Sequence, residues 1–433
     1  MFICVLAFVS VSIKAQEPTE YLFARVVPGS HISIERLTVS GPATGDVLAQ
    51  IPIPNGLSLL DVELSATREQ IALQFVQPLG PDAEITFLNL ATFDTVNTSR
   101  FLVAANSPRR LIDTDAVFYW APDARALAFI GASPNQSAPY ETAVQSVDPT
   151  NGTIRRLSVG SGNPLLISWS PDSSQLAVLL ASEGLKPPRI ELYWFDSGAL
   201  AGTVDLSPIT NNLTDLADVC NLSWSPDTRY LTLVYSCAGG NPEISKRVYT
   251  INLQDNTVRQ LADFSSNPRI SGPIVDRFAV YDLQWLRDDL LISVDFVDGA
   301  TRRTETWLYD LADQSGQKLA DGFALDIAIN PSDEQIVIPL EVGSVSDQTP
   351  IVGQEAFSRD NRSLSRQAFC HSEWDPEGRY FAASIQVRIN LPARRCTADP
   401  SSILISDATG VVLVRLDVQR GERIIPLGWH DIN

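Results

Sequence analysis

The chain has 433 residues, 44% of them hydrophobic, and its 32 basic and 51 acidic side chains give a formal charge of −19. So acidic a chain is a poor match for nucleic acid or an anionic membrane surface, and neither is expected as a general partner. The hydrophobic content is ample for a core, and the charge fits a soluble exported monomer.

In chain order, residues 2–13 come first as a short apolar run, too short to span a bilayer comfortably. The run looks like the core of a secretory leader with a cut after Ala15. No basic residues precede it, so a shortened membrane anchor is the other reading; residues 1–15 are set apart on either view, and residues 16–433 are taken as one domain. Three strand-like segments follow at 21–27, 32–37 and 47–51.

From there one unit repeats seven times. Leu64, with Ile71-Ala72-Leu73, is a weak copy, and Tyr119-Trp120-Ala121-Pro122-Asp123, with Leu127-Ala128-Phe129, is a strong one. Two further strong copies are Ser168-Trp169-Ser170-Pro171-Asp172, with Leu176-Ala177-Val178, and Ser223-Trp224-Ser225-Pro226-Asp227, with Leu231-Thr232-Leu233. Trp285 and Ile329 head weaker units, and Glu373-Trp374-Asp375-Pro376-Glu377-Gly378 precedes Phe381-Ala382-Ala383. Each copy reads as two strands joined by a tight reversal: Pro presets φ, Asp bonds the turn, and an apolar triplet opens the second strand. Glycine, the easiest residue for a positive φ at the turn's end, stands only at Gly378; Ala124, Ser173, Thr228, Asp289 and Asp333 occupy the matching positions, which argues against one shared turn geometry. The tryptophans are expected between stacked sheets, each indole N–H needing a partner. Third strands are expected at 85–88, 142–145, 190–193, 248–251, 306–309 and 403–406, and a long polar excursion at 342–362.

The pattern W-S-P-D followed by an apolar triplet resembles the repeat of TolB-type β-propellers and of the propeller domains of prolyl oligopeptidase and dipeptidyl peptidase relatives. The resemblance covers nearly all of the chain after residue 20 and implies an all-β ring of four-stranded antiparallel blades. The anchors at 64, 120, 169, 224, 285, 329 and 374 have a further counterpart at Trp429, which has no hairpin partner after it. The missing strands lie at the other end of the chain. An eight-bladed β-propeller is therefore expected, closed by a split blade whose innermost strand comes from the C-terminus and whose outer three come from the N-terminus. Seven blades is the alternative if the Ile329 unit is incomplete. The sequence has no G-x-S-x-G elbow, so the peptidase activity of those relatives is not expected here.

In such a ring, first-to-second and third-to-fourth turns share one face, while second-to-third and blade-to-blade connections share the other. The second class is long here, which makes the loop-rich face the expected binding surface. Three Arg pairs fall in or beside those connections: Arg109-Arg110, Arg302-Arg303 and Arg394-Arg395. They suit carboxylate, phosphate or sulfate groups as an anion-binding rim, or else they pair with loop carboxylates. Asp123, Asp172 and Asp227 lie on the short-turn face, where turn stabilisation is the plain reading.

Cys220 and Cys237, and Cys370 and Cys396, are read as two disulfides of an oxidising compartment, with four buried thiols as the alternative. The first bridge assumes that Trp224 faces Thr232 across its hairpin, which brings Cys220 opposite position 236. No short C-x-x-C pair or flanking His suggests a metal, and no cofactor is implied. Of the three histidines, His371 and His430 fall on innermost strands as core or channel residues, and His31 lies near the start. The N-x-[ST] sequons are read as incidental. The function expected from all this is that of an exported, non-enzymatic platform binding a protein, peptide or glycan through its loop-rich face. An extracellular polymer-degrading hydrolase or lyase, or the sensor domain of a membrane assembly, is the alternative.

Overall fold

The computed structural model describes residues 19–430 apart from 28, 40–44, 78–81, 103–117, 133–141, 161, 182–186, 211–218, 236–246, 262–276, 287–288, 299–300, 312–314, 322–327, 332–334, 347–348, 359–362, 368–369, 386–388, 391–394, 397–401, 409–410 and 420. Among the described residues the strands form eight four-stranded antiparallel sheets and one two-stranded ribbon. The first strands of neighbouring sheets meet around a common axis, which makes the fold an eight-bladed β-propeller. Among the described residues helix is confined to one turn at Ser207–Thr210.

Blade 1 is the split blade, in which Arg423–His430 pairs with Glu20–Val27, which continues to His31–Thr38 and Asp46–Pro52. Tyr21 stands opposite Trp429, whose indole is fully buried and meets the Tyr21 ring edge-on at 5.2 Å. Arg25 ties the two chain ends together, its guanidinium 2.8 Å from Glu35 and 2.5 Å from Glu422. Blades 2 to 8 begin with Ser58–Leu64, Phe118–Trp120, Pro164–Trp169, Val219–Trp224, Arg277–Leu286, Ala328–Ile329 and Cys370–Trp374. The Ile329 unit is thus a complete blade, and eight, not seven, is the count.

One hydrogen bond recurs between blades. The indole N–H donates to the carbonyl of the residue just before the anchor of the preceding blade: Trp169 to Tyr119 at 2.9 Å, Trp224 to Ser168 at 3.0 Å, and Trp429 to Glu373 at 3.1 Å. Trp285 bonds the Ser223 hydroxyl instead, at 3.0 Å. Blade 2 has Leu64 in place of tryptophan. There Arg68 substitutes, donating to the Trp429 carbonyl at 2.8 Å and to Glu373 at 2.9 Å. Trp120 and Trp374 follow the two aliphatic anchors, Leu64 and Ile329, and their N–H groups meet no described partner.

Three sequence expectations need correction. First, five of the tight turns share one geometry: Arg68, Ala124, Ser173, Thr228 and Gly378 all have φ between 58° and 68°. Each donates its backbone N–H three residues back, at 2.8–2.9 Å. Blade 6 instead reverses in two residues, with Leu286 paired directly to Asp289, and Asp333 lies outside the described residues. At Ser173 and Thr228 the residue after the anchor caps the turn, and at Ala124, where the anchor is followed by Ala121, the Asp123 carboxylate accepts the Arg125 N–H instead. The Ser170 and Ser225 hydroxyls accept N–H from Gln175 and Tyr230 and donate to Asp172 and Asp227, and the Asp375 carboxylate accepts from Tyr380. Glycine is required at 378 for space as well, since a Cβ there would lie 2.2 Å from Asn330. Second, Trp224 pairs with Leu231, not Thr232, and a bulge between Val219 and Asn221 takes Cys220 out of the pairing assumed for its bridge. Third, the excursion expected at 342–362 is largely a long hairpin, Gln335–Ser346 against Thr349–Ser358.

Replacing Trp429 by Ala should cost about 3–5 kcal/mol in urea unfolding; a cost below about 1 kcal/mol would contradict its place in ring closure. Thr228→Gly should raise stability by about 0.5–1 kcal/mol by relieving a left-handed β-branched residue.

Candidate functional site

The two faces of the ring are built differently. On the short-turn face turns are bonded to their neighbours: the Asp123 N–H donates to the Ser173 hydroxyl at 2.9 Å, Arg125 reaches the Ser173 carbonyl at 2.5 Å, and the Asn330 amide donates to the Gly378 carbonyl at 3.2 Å. The aspartates serve those turns, with Asp172 and Asp227 accepting N–H bonds two residues on at 3.0 Å. The Ser170 and Ser225 hydroxyls, together with these N–H bonds, hold both carboxyls below the ordinary range in spite of partial burial. The loop-rich face carries the long hairpin of blade 7 and that of blade 6, Asp289–Asp298 against Thr301–Asp310. It also carries the ribbon inserted in blade 8, Ile389–Asn390 against Arg395–Cys396.

Three members of the Arg pairs are placed on that face. Arg302 and Arg303 stand opposite Val297 and Phe296 near the tip of the blade 6 hairpin, and Arg395 opposite Asn390 in the ribbon. Arg109, Arg110 and Arg394 lie outside the described residues, as does Cys237. Cys220, Cys370 and Cys396 are placed only by their strands, Val219–Trp224, Cys370–Trp374 and Arg395–Cys396. His371 and His430 do fall on innermost strands, and the His31 ring sits 2.8 Å from the Ser30 hydroxyl.

Two features were not anticipated from the sequence. A cavity of about 630 Å³ opens at the loop-face end of blade 2. Pro54, Asn55 and Leu57, from the connection between blades 1 and 2, line it together with Asp82, Glu84, Arg100 and Leu102. Within it Arg100 donates through Nε to the buried Glu84 at 2.6 Å. The second feature is Glu63, on the innermost strand of blade 2. Cross-strand pairing sets Glu63 beside Ala72 and Asp61 beside Gln74, on the face that packs against Phe118, Trp120 and Phe129 of blade 3. Burial, with the Asp61 charge beside it, pushes the Glu63 carboxyl up to about 8, and Gln74 opposes this only in part. Gln74 is fully buried beside it.

Glu191 in blade 4 is the contrasting case. Against the cost of burial, bonds from the Tyr193 hydroxyl, Arg189 and the Gly160 N–H hold its carboxyl below the ordinary range. The cluster ties the connection between blades 3 and 4 to the third strand of blade 4 and leaves this carboxylate acceptor-saturated.

No protein-family model matches the chain, and no curated protein matches it. Among solved structures, dihydro-heme d1 dehydrogenase NirN in complex with DHE is similar over 95% of this chain and 75% of its own, at 15% identity and a TM-score of 0.56. A prolyl endopeptidase is similar over 86% of this chain at 11% identity and a TM-score of 0.48, and this chain spans half of its length. A TolB from Agrobacterium tumefaciens is similar over 71% of this chain and 89% of its own, at 13% identity and a TM-score of 0.35. The TolB and prolyl-peptidase resemblance expected from the repeats is thus present among solved propellers, and at such identities it concerns the fold.

A raised folded-state pKa means that the native chain holds the Glu63 proton after the unfolded chain has lost it. Stability contributed by this group is therefore present below about 4.5, falls as pH rises towards 8, and is level above. Glu63→Gln should remove that fall, so that at pH 8 the variant melts roughly 1–3 °C above the parent, with the two converging near pH 4.5. Parallel melting curves across that range would refute the burial of this carboxyl.

Proposed function

We propose that this chain is an exported, non-enzymatic β-propeller that presents its loop-rich face to a protein, peptide or glycan ligand. The observation that carries this reading is the asymmetry of the faces. One carries tight turns bonded to their neighbours, and the other bears the cavity, the long hairpins of blades 6 and 7 and the blade 8 ribbon. A rigid scaffold with elaborated connections on one side is the usual layout of a recognition surface. Arg302, Arg303 and Arg395 fall on that side, and a guanidinium fork there would pair with carboxylate or phosphate groups on an otherwise acidic body. Export is supported by the leader-like apolar run and by the cysteine placement in the sequence.

The catalytic alternative, a hydrolase or lyase acting on an extracellular polymer, finds its one support in Glu63, a carboxyl that stays protonated near neutral pH. That group faces the packed joint with blade 3 and is not among the residues lining the cavity, so binding is the better-supported reading.

Capture from the native extracellular fraction tests the proposal. The intact chain should retain a partner that is lost when Arg394 and Arg395 are replaced by Gly and Ser, and kept when Glu377 on the opposite face becomes Ser. Equal capture by all three proteins would remove the Arg pairs from the ligand surface.

A further inference from the structure

The cavity at the end of blade 2 has a chemistry of its own. Its position follows from strand register: Asp82 is paired with Leu102 and Glu84 with Arg100, so these four side chains emerge on one face of the blade in two adjacent rows. Leu57 approaches them from the connection between blades 1 and 2. The result is a mixed wall, with carboxylate and guanidinium side by side and leucines next to them.

The charges can be counted. Glu84 is buried, and its oxygen takes the Nε proton of Arg100 at 2.6 Å, so that pair is neutralised internally. The Arg100 side chain remains 81% exposed, and its two terminal nitrogens donate to no described group. They are a two-pronged donor awaiting an anion. Asp82 is exposed and forms no ion pair with any described residue. A simple anion bound at Arg100 would meet the Asp82 charge, and a simple cation bound at Asp82 would leave the Arg100 terminal nitrogens without an acceptor. A molecule carrying both charges a few ångströms apart meets neither conflict. Leu57 and Leu102 would cover an apolar side chain on such a molecule, and about 630 Å³ lies within the range of small-ligand pockets.

We propose that this cavity binds a small zwitterion with an apolar side chain, a free amino acid or a dipeptide. Its carboxylate lies on the Arg100 fork, its ammonium on Asp82, and its side chain on Leu57 and Leu102. The proposal deepens the loop-face reading by assigning a ligand class to one part of that face, and it does not involve the Arg pairs.

Calorimetric titration of the full chain with leucine and with leucyl-leucine is the test. Isovalerate, which lacks the ammonium, and isoamylamine, which lacks the carboxylate, serve as probes of each half. Saturable binding of at least one zwitterion is expected, with both half-molecules at least tenfold weaker. Asp82→Asn should weaken it at least tenfold. Arg100→Lys, which keeps a charge for Glu84 but removes the fork, should do the same while melting like the parent. Failure of both zwitterions to bind, or equally tight binding of either half-molecule, would overturn the assignment. If the zwitterions fail while the Arg394 and Arg395 replacements still release a partner, the cavity assignment alone falls and the loop-face reading stands.

Discussion

A ring of twisted sheets closes only if each wedge between blades is filled and each polar group driven into it is met. The indole between blades does both. Its rings fill the gap, and at Trp169, Trp224 and Trp429 its N–H reaches an acceptor at the same place in the preceding blade, the carbonyl before the anchor. Because that acceptor is backbone, it does not depend on which side chain precedes the anchor: Tyr119, Ser168 and Glu373 all serve. The unit can therefore vary in sequence around a fixed contact.

Closure uses the same contact across the chain ends. Trp429 donates to blade 8 as any internal anchor would, and its own carbonyl is taken up by Arg68 of blade 2. Arg68 supplies from a turn what Leu64 cannot supply from a strand, and Glu373 receives its second terminal nitrogen. Arg25, between Glu35 and Glu422, adds a half-buried ionic tie within the split blade. The termini are thus held by packing, backbone acceptors and charge together. An isolated exposed ion pair would contribute little by itself.

Much of this was legible in the sequence. The spacing of the W-S-P-D units and the unpartnered Trp429 predict the blade count and the split blade, because anchor, turn and triplet are local signals that repeat. The shared turn geometry was not legible. A positive φ at Ala124, Ser173 and Thr228 breaks the glycine rule, and at Ser173 and Thr228 the compensation lies in a cap three residues earlier in the chain. The hairpin of blade 7 was obscured by composition, since the run from Gly343 to Pro350 at its tip is mostly polar and its strands contain Gly343 and Gly353. A bulge shifted the pairing near Cys220 by one residue, beyond what alternation alone reveals. The cavity was invisible for another reason. Asp82, Glu84 and Arg100 form no motif along the chain and meet only through hairpin register.

The departures from the repeat gather in one blade. Blade 2 has an aliphatic anchor at Leu64 and a left-handed arginine at its turn. It buries Glu63 and Gln74 at the joint with blade 3, where Trp120 follows without its carbonyl partner. At its loop-face end it carries the cavity with the neutralised Glu84 and the open Arg100 fork. Each departure weakens packing or polar satisfaction, and the neighbouring joints, fixed by Arg68 on one side and Trp169 on the other, hold the blade in place. Locally unfavourable choices survive where a site needs them and the surroundings can bear the cost. The other blade with an aliphatic anchor, blade 7, carries the longest hairpin on the same face. Both blades with an aliphatic anchor are thus among those elaborated on the loop-rich face, together with blades 6 and 8.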